Sequence, residues 1–487
     1  MLFQYRRCRR RIYLDTYGDI ALQDPPSDYF VKLKADSAEH RKEVLSQFAP
    51  LTTPSYEPRN WQAGAEATYR LMREGAAAIH RGILLMQGPE TEGVVGSYYR
   101  SEPDLLVKQA GESWLGDWYY VPYSVKLGKK AKPEYQLTAT FSAYLLAEIQ
   151  GVWPETARIF LRNNKLYSVN LERYVPKLQA ALDDCHHIMA ALRPPEVFIS
   201  RNRCSLCPWL GHCYDEAKET NHLSLLPGVT LNRYPTLVDL GLTTVEALSQ
   251  VDSTQLTDAL GTEHHISEKL IYQAQATAQR AAVPRLHTGY FPLEPHQLPS
   301  DEVELYFDIE AAPDKNLIYL HGVLVVEKGL NQAPKETFHA LLAETPEEEE
   351  KAWFDFLLLV EQYPTAPIYH FCPYEAQTVA RLGQLYGMNE LDINTLLCRF
   401  VDIHKRVVDS VALPVESYAL KHLARWMGFE WRDEDANGAQ SICWYDDWLT
   451  TGDRTYLNTI LRYNEDDCRA TYRVKDWLVK FAQPFWQ

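Results

Sequence analysis

The stretch Glu304-Leu305-Tyr306-Phe307-Asp308-Ile309-Glu310 decides how the chain folds and where its chemistry lies. Its apolar content, and a second apolar run at 316–327, predict two successive β-strands. Residues two apart on a strand point to the same face, so Asp308 and Glu310 present two carboxylates side by side. Two acids set among Leu, Tyr, Phe and Ile are more than an acidic edge: they are close enough to share a metal ion.

Further acids follow downstream. In Pro367-Ile368-Tyr369-His370-Phe371-Cys372-Pro373-Tyr374-Glu375, a strand ends at His370 and Glu375 opens the next helix, where the positive dipole end favours a carboxylate. Residues 400–404, containing Asp402 and His404, are expected to close another strand. The segment 461–471 reads as a helix on which Tyr463 and Asp467, four apart, share a face, while Glu465 and Asp466 look elsewhere. Asp308, Glu310, Glu375 and Asp467 together suffice for two divalent cations, Mg²⁺ or Mn²⁺, and a phenol at Tyr463 can orient an attacking water.

A second constellation lies in Cys204-Ser205-Leu206-Cys207-Pro208-Trp209-Leu210-Gly211-His212-Cys213, with Cys8 near the start of the chain in Tyr5-Arg6-Arg7-Cys8-Arg9-Arg10-Arg11. Four thiolates complete the shell of either a structural zinc or an iron–sulfur cluster. Ligands drawn from both ends of a domain would act as a clasp.

Between these cysteines the pattern is helix (28–48 and 61–86), short strands (82–87, 94–99, 104–108 and 118–126), helix (135–150), strand (157–161) and a long helix (174–192). That order suits an α/β core. Four positions carry a chemical argument. Asp104 sits at a strand start as a cation ligand, Lys126 faces an attacked phosphate, His40 lies on an early helix, and Gln136 lies one turn into the helix after the lysine strand.

These residues carry resemblances. The cysteine arrangement is similar to the iron–sulfur clasp of RecB-like nucleases, among them CRISPR-associated exonucleases and AddB helicase-nucleases, and implies a [4Fe-4S] cluster. His40, Asp104, the triplet Ser124-Val125-Lys126 and Gln136 resemble the PD-(D/E)XK pattern of the same family over about residues 4–215. One position departs: Ser124 stands where an acid is expected, and a neutral hydroxyl is a poor Mg²⁺ ligand. This first site is therefore expected to be weak or inactive, keeping a nucleic-acid-binding or structural role. Asp308, Glu310, Glu375, Tyr463 and Asp467 resemble the DEDDy exonucleases, and more narrowly a YprB-type ribonuclease H-like domain over about residues 302–482. Glu375 replaces the usual Asp of those exonucleases, and His370 stands where Asn is common.

Composition sets the remaining bounds. The 487 residues allow several domains, and 46% hydrophobic content supplies their cores. No apolar run approaches the ~20 residues of a membrane span, and no signal peptide is evident. Nine cysteines, odd in number and clustered once, point to reduced thiols and a cytoplasmic protein. The net charge of −16 excludes a protein that coats nucleic acid nonspecifically, while basic runs at 6–11 and 126–132 are candidates for a local phosphate groove.

The expected fold class is α/β. A restriction-endonuclease-like PD-(D/E)XK core with the clasp spans 1–222, and a small helical connector with glycine turns like those of helix-hairpin-helix elements spans 223–300. A ribonuclease H-like mixed-sheet DEDDy domain spans 301–487. Residues 265–283 are expected as a helix and 284–299 as a linker. The implied function is metal-dependent phosphodiester hydrolysis by a 3′–5′ exonuclease, mainly in the C-terminal domain. The implied partner is nucleic acid, DNA in preference to RNA, with a helicase or other repair protein as a further candidate partner and no membrane. The alternatives are an RNA exonuclease, or a non-catalytic nucleic-acid-binding protein with degenerate nuclease sites.

Overall fold

The computed structural model describes residues 1–88, 98–287, 289–329 and 333–486. The chain forms two compact units, residues 1–197 with 201–216, and residues 198–200 with 217–487.

The first unit is built on a five-stranded sheet in the order Ala78–His80, Leu105–Ser113, Gly116–Val125, Ala157–Leu161, Lys165–Val169. All neighbours are antiparallel except Gly116–Val125 and Ala157–Leu161, which run parallel and are joined by the helix Pro133–Gln150. A parallel pair needs such a crossover. Pro133 opens that helix, where its missing N–H costs nothing, and Gly151 closes it at φ +73°. The strands bury both faces by alternation: Leu106 and Tyr120 pack with Met72, Leu145 and Leu146, while Leu105 and Val121 pack with Val44 and Phe160 on the other side.

One sequence expectation fails here, and another lies partly outside the described residues. The helix expected over 61–86 ends at Arg73, because Gly75 takes φ +72° and turns the chain into the strands Ala78–His80 and Leu84–Gln87. Of the strand expected at 94–99, residues 94–97 lie outside the described residues; Tyr98 and Tyr99 belong to the strand Tyr98–Ser101, paired with Leu84–Gln87.

The cysteine-bearing segment is stitched to the start of the chain. Trp209 is fully buried and its Nε1 donates to Asp15 at 2.7 Å. The Gly211 N–H donates to Asp24 Oδ2 at 2.8 Å, and the Asp24 N–H donates to the Pro208 carbonyl at 2.7 Å. Arg10, itself buried, donates to the Pro195 carbonyl and to Glu216.

In the second unit, short helices over Tyr234–Asp239, Val245–Gln250 and Ser253–Leu260 pack on the helix His264–Gln279 through Leu237, Leu248, Leu256 and Leu270. Thr244 and Asp252 cap two of them by accepting backbone N–H bonds. The expected linker at 284–299 is partly ordered by pairing: Val283–Pro284 forms a two-stranded ladder with Val411–Ala412. Gln273 donates to the Leu413 carbonyl and accepts from Tyr418, tying these helices to the rest of the unit.

The second unit's large sheet is mixed, in the order Lys335–Leu342, Leu317–Glu327, Val303–Ala312, Ile368–His370, Phe400–Asp402, antiparallel across the first three strands and parallel thereafter. The last strand stops at Asp402 rather than running to His404, because Asp402 accepts the Lys405 N–H and caps the helix Ile403–Ser410. Leu305, Phe307 and Ile309 face a core containing Trp353 and Phe356. Glu304, Tyr306, Asp308 and Glu310 therefore face the opposite side, which the long helix Arg454–Ala482 covers.

Candidate metal centre

Helix and strand rise set the register of this site. From Glu304 to Asp308 is four strand residues, about 13 Å; from Lys475 back to Asp467 is eight helical residues, about 12 Å. The two spans match. Lys475 Nζ lies 2.8 and 2.9 Å from the Glu304 carboxylate oxygens, and the same helix face then delivers Asp467 to Asp308. Asp308, Glu310 and Asp467 offer oxygens that all lie within 4.8 Å of one another, and they are the one group of three or more metal-ligating side chains among the described residues.

Neutral donors hold these carboxylates. Asn464 Nδ2 donates to Asp308 Oδ2 at 2.7 Å. Ser441 Oγ donates to Glu310 Oε2 at 2.7 Å, and Tyr319 contacts that hydroxyl from behind. Trp431 Nε1 donates to Asp467 Oδ1 at 2.8 Å, and the Tyr463 hydroxyl also bonds to Asp467. Asp466 and Glu465, pointing away, are taken by Arg432.

Three carboxylates so placed resist ionisation. Burial, then the charges of Asp467, Glu310 and Glu375, push Asp308 far above the usual carboxylate range. Burial and Asp467 push Glu310 up to about 8 against the pull of Ser441. Burial pushes Asp467 up to about 7 although Trp431 and Tyr463 oppose it. A cluster with this much uncompensated negative charge suits a divalent cation, which hard oxygen ligands hold. The donor set therefore fits Mg²⁺ or Mn²⁺.

Glu375 lies at the edge of the group, buried in the first turn of the helix Tyr374–Leu385. His370 Nδ1 donates to the Cys372 carbonyl at 2.6 Å and stands 3.5 Å from Glu375 Oε2, which makes no hydrogen bond among the described residues. Burial raises Glu375 as well. Cys372 adopts φ +76°, and this turn leads the chain into Glu375.

Residues 305–479 match the RNase_H_2 family of the RNase H superfamily. This segment is a ribonuclease H-like domain. No curated protein matches the chain. In the ribonuclease H-like domain, Asn464, Ser441, Gly322 and Trp431 support the acids and were not singled out in the sequence. Asn464 alone left a signal there, since it lies three residues before Asp467 and so on its helix face.

In the first unit the four expected residues do not form a comparable cluster. Both Asp104 oxygens are engaged, Oδ1 by Arg41 Nε at 2.6 Å and Oδ2 by the Val125 N–H at 2.7 Å. Lys126 is half-buried and burial pushes its pKa down, partly offset by Asp104. Gln136 donates to the Ala131 carbonyl and accepts from Tyr167. His40 is buried in the helix Asp28–Ser46, and its Nε2 has no hydrogen bond among the described residues.

Cys8, Cys204, Cys207 and Cys213 are all partly exposed and belong to the first unit. Burial pushes the Cys207 thiol up as well, and Cys8 adds to the rise at both Cys207 and Cys213. Burial pushes Cys213 up to about 11, opposed by Arg10. Among the described residues, no helix is long and apolar enough to cross a membrane.

Proposed function

We propose that this chain is a metal-dependent nuclease whose ribonuclease H-like domain hydrolyses phosphodiester bonds, acting as a 3′–5′ exonuclease with DNA as its preferred substrate. The observation that carries this reading is the convergence of Asp308, Glu310 and Asp467 on a ribonuclease H-like scaffold with no cation bonded to any of the three among the described residues. Divalent cations bound there would supply charge stabilisation on phosphate and activation of water.

The chain's own residues have distinct roles in this proposal. Asp308, Glu310 and Asp467 hold the cations, and Glu375 extends the set from the helix beside them. Tyr463, hydrogen-bonded to Asp467, positions the attacking water. Ser441, Asn464 and Trp431 fix the carboxylate rotamers, so that the site needs little rearrangement when substrate arrives.

The first unit, with the helical segment after it, completes the proposal: a RecB-like PD-(D/E)XK region over 1–222, and a connector over 223–300. Its cysteines would hold a [4Fe-4S] cluster. The hydrogen bonds of Trp209 to Asp15 and of Gly211 to Asp24, which hold the segment bearing Cys204, Cys207 and Cys213 against the start of the chain that carries Cys8, support this. A brown protein absorbing near ~400 nm, as iron–sulfur thiolate charge transfer requires, separates a cluster from zinc.

The deciding experiment is Mn²⁺-dependent degradation of single-stranded DNA and RNA, labelled at either end, by the wild type and by Asp308→Ala. Loss of cutting in the variant is the expected result. Cutting that persists would move the activity to the first unit, and the label released first reports polarity.

A further inference from the structure

The first unit contains a cavity of about 1140 Å³, whose lining includes Arg41, Trp61, Arg100, Asp104, Ser124 and Lys126. Its charge balance is the reverse of that in the carboxylate cluster. The one acid on the floor, Asp104, is neutralised by Arg41 at 2.6 Å. Ser124 adds no charge. Glu102, also on the wall, is taken by Arg81. The charges left over are positive. The Lys126 side chain, half-buried on the cavity lining, makes no hydrogen bond or ion pair among the described residues, and Arg100 lies with its guanidinium 3.7 Å from the centre of the Trp61 ring.

A floor with surplus cation takes an anion rather than a metal ion. An indole with a guanidinium over it offers one plane for a nucleobase and one charge for a phosphate, which is how sequence-tolerant single-strand sites are built. The volume exceeds the ~300–1,000 Å³ of ordinary small-molecule pockets, as a segment of a polymer requires.

We infer that this cavity grips a single-stranded nucleic-acid segment without a metal ion, Lys126 and Arg100 meeting phosphate and Trp61 stacking on a base. The inference rests on the reading that the chain acts on nucleic acid. Arg41 is then a positioning residue that silences Asp104 as a cation ligand.

The test is the affinity of the full-length protein for fluorescein-labelled oligothymidylate, followed by anisotropy in EDTA. In EDTA the carboxylate cluster has no divalent cation to bridge it to phosphate, so binding reports the cavity. Lys126→Ala is expected to weaken binding about ten-fold and to lower the salt slope by about one, while Lys126→Arg retains it. Trp61→Ala, on a partly exposed helix, should cost a further five-fold or more by loss of stacking. Ser124→Asp should weaken binding in EDTA and make it respond to Mg²⁺. Wild-type affinity in both Lys126→Ala and Trp61→Ala, or no binding in EDTA, overturns the inference. Cleavage that vanishes in Asp308→Ala while these variants bind normally would sink this grip and leave the nuclease reading standing. EDTA binding lost in Lys126→Ala but cleavage surviving Asp308→Ala would do the reverse.

Discussion

Asn464 reaches Asp308 across the position of Gly322. Gly322 lies opposite Asp308 in the antiparallel ladder, so a side chain there would project from the same face. The Asn464 amide fills that space and donates to Asp308 Oδ2 at 2.7 Å, and a Cβ on residue 322 would overlap its Oδ1.

Gly322→Ala is therefore expected to destabilise the domain by about 1–3 kcal/mol through overpacking, and to lose more activity than stability. The double variant Gly322→Ala with Asn464→Ala should recover the melting temperature without recovering cleavage. Thermal unfolding and nuclease rates measured side by side check this; a Gly322→Ala protein with wild-type rates would refute the role of the gap.

Ser441→Ala leaves Glu310 without its hydroxyl donor. A hydrogen bond to a charged group contributes about 1.5–3 kcal/mol, so the acid, already at about 8, should titrate higher still. Activity near neutral pH should drop about ten-fold and recover in part at alkaline pH. A pH–rate profile with unchanged midpoints would show that Ser441 does not tune Glu310.

Without metal, the cluster should make folding pH-dependent in a set direction. The folded-state pKa values of Glu310 and Asp467 are raised, to about 8 and about 7. Below the unfolded value of about 4, both states are protonated and no penalty exists. As pH rises toward 8, the unfolded chain gives up protons that the folded chain keeps, and stability is lost. Glu310→Gln should thus match the wild type near pH 4 and exceed it increasingly up to pH 8, by on the order of a few kcal/mol. Denaturant melts in EDTA across that window measure the difference. Mg²⁺ should stabilise the wild type more at pH 8 than at pH 6 and Glu310→Gln much less.

His321 offers a test away from the chemistry. It is fully buried between Phe307 and Phe356, neither ring nitrogen has a hydrogen bond among the described residues, and burial pulls its pKa down to about 3. His321→Leu is expected to stabilise the fold by about 1–2 kcal/mol near pH 7, since two desolvated polar atoms disappear. The advantage should grow as pH falls below about 6.5, where the unfolded histidine gains a proton that the folded one refuses. Equal stability of the two proteins at pH 5 would contradict this account.

What the chain spells out locally is what short-range periodicity carries. Asp308 and Glu310 two apart on a strand, and Tyr463 and Asp467 four apart on a helix, can be placed on common faces from covalent geometry alone. The same logic misplaces residues 61–86, where strong helix formers hide a turn that Gly75 takes at positive φ. Long-range register decides the rest. Matching rises along Val303–Ala312 and Arg454–Ala482 bring Asp467 to Asp308, with Lys475 on Glu304 at the other end. The partners Ser441, Trp431 and Gly322 lie far from the acids in sequence and carry no periodic mark. In the first unit, only the folded chain brings Arg41 onto Asp104, 63 positions away. Local spacing sets which side chains share a face. Which charges those faces meet depends on how far apart the elements pack, and that only the tertiary structure decides.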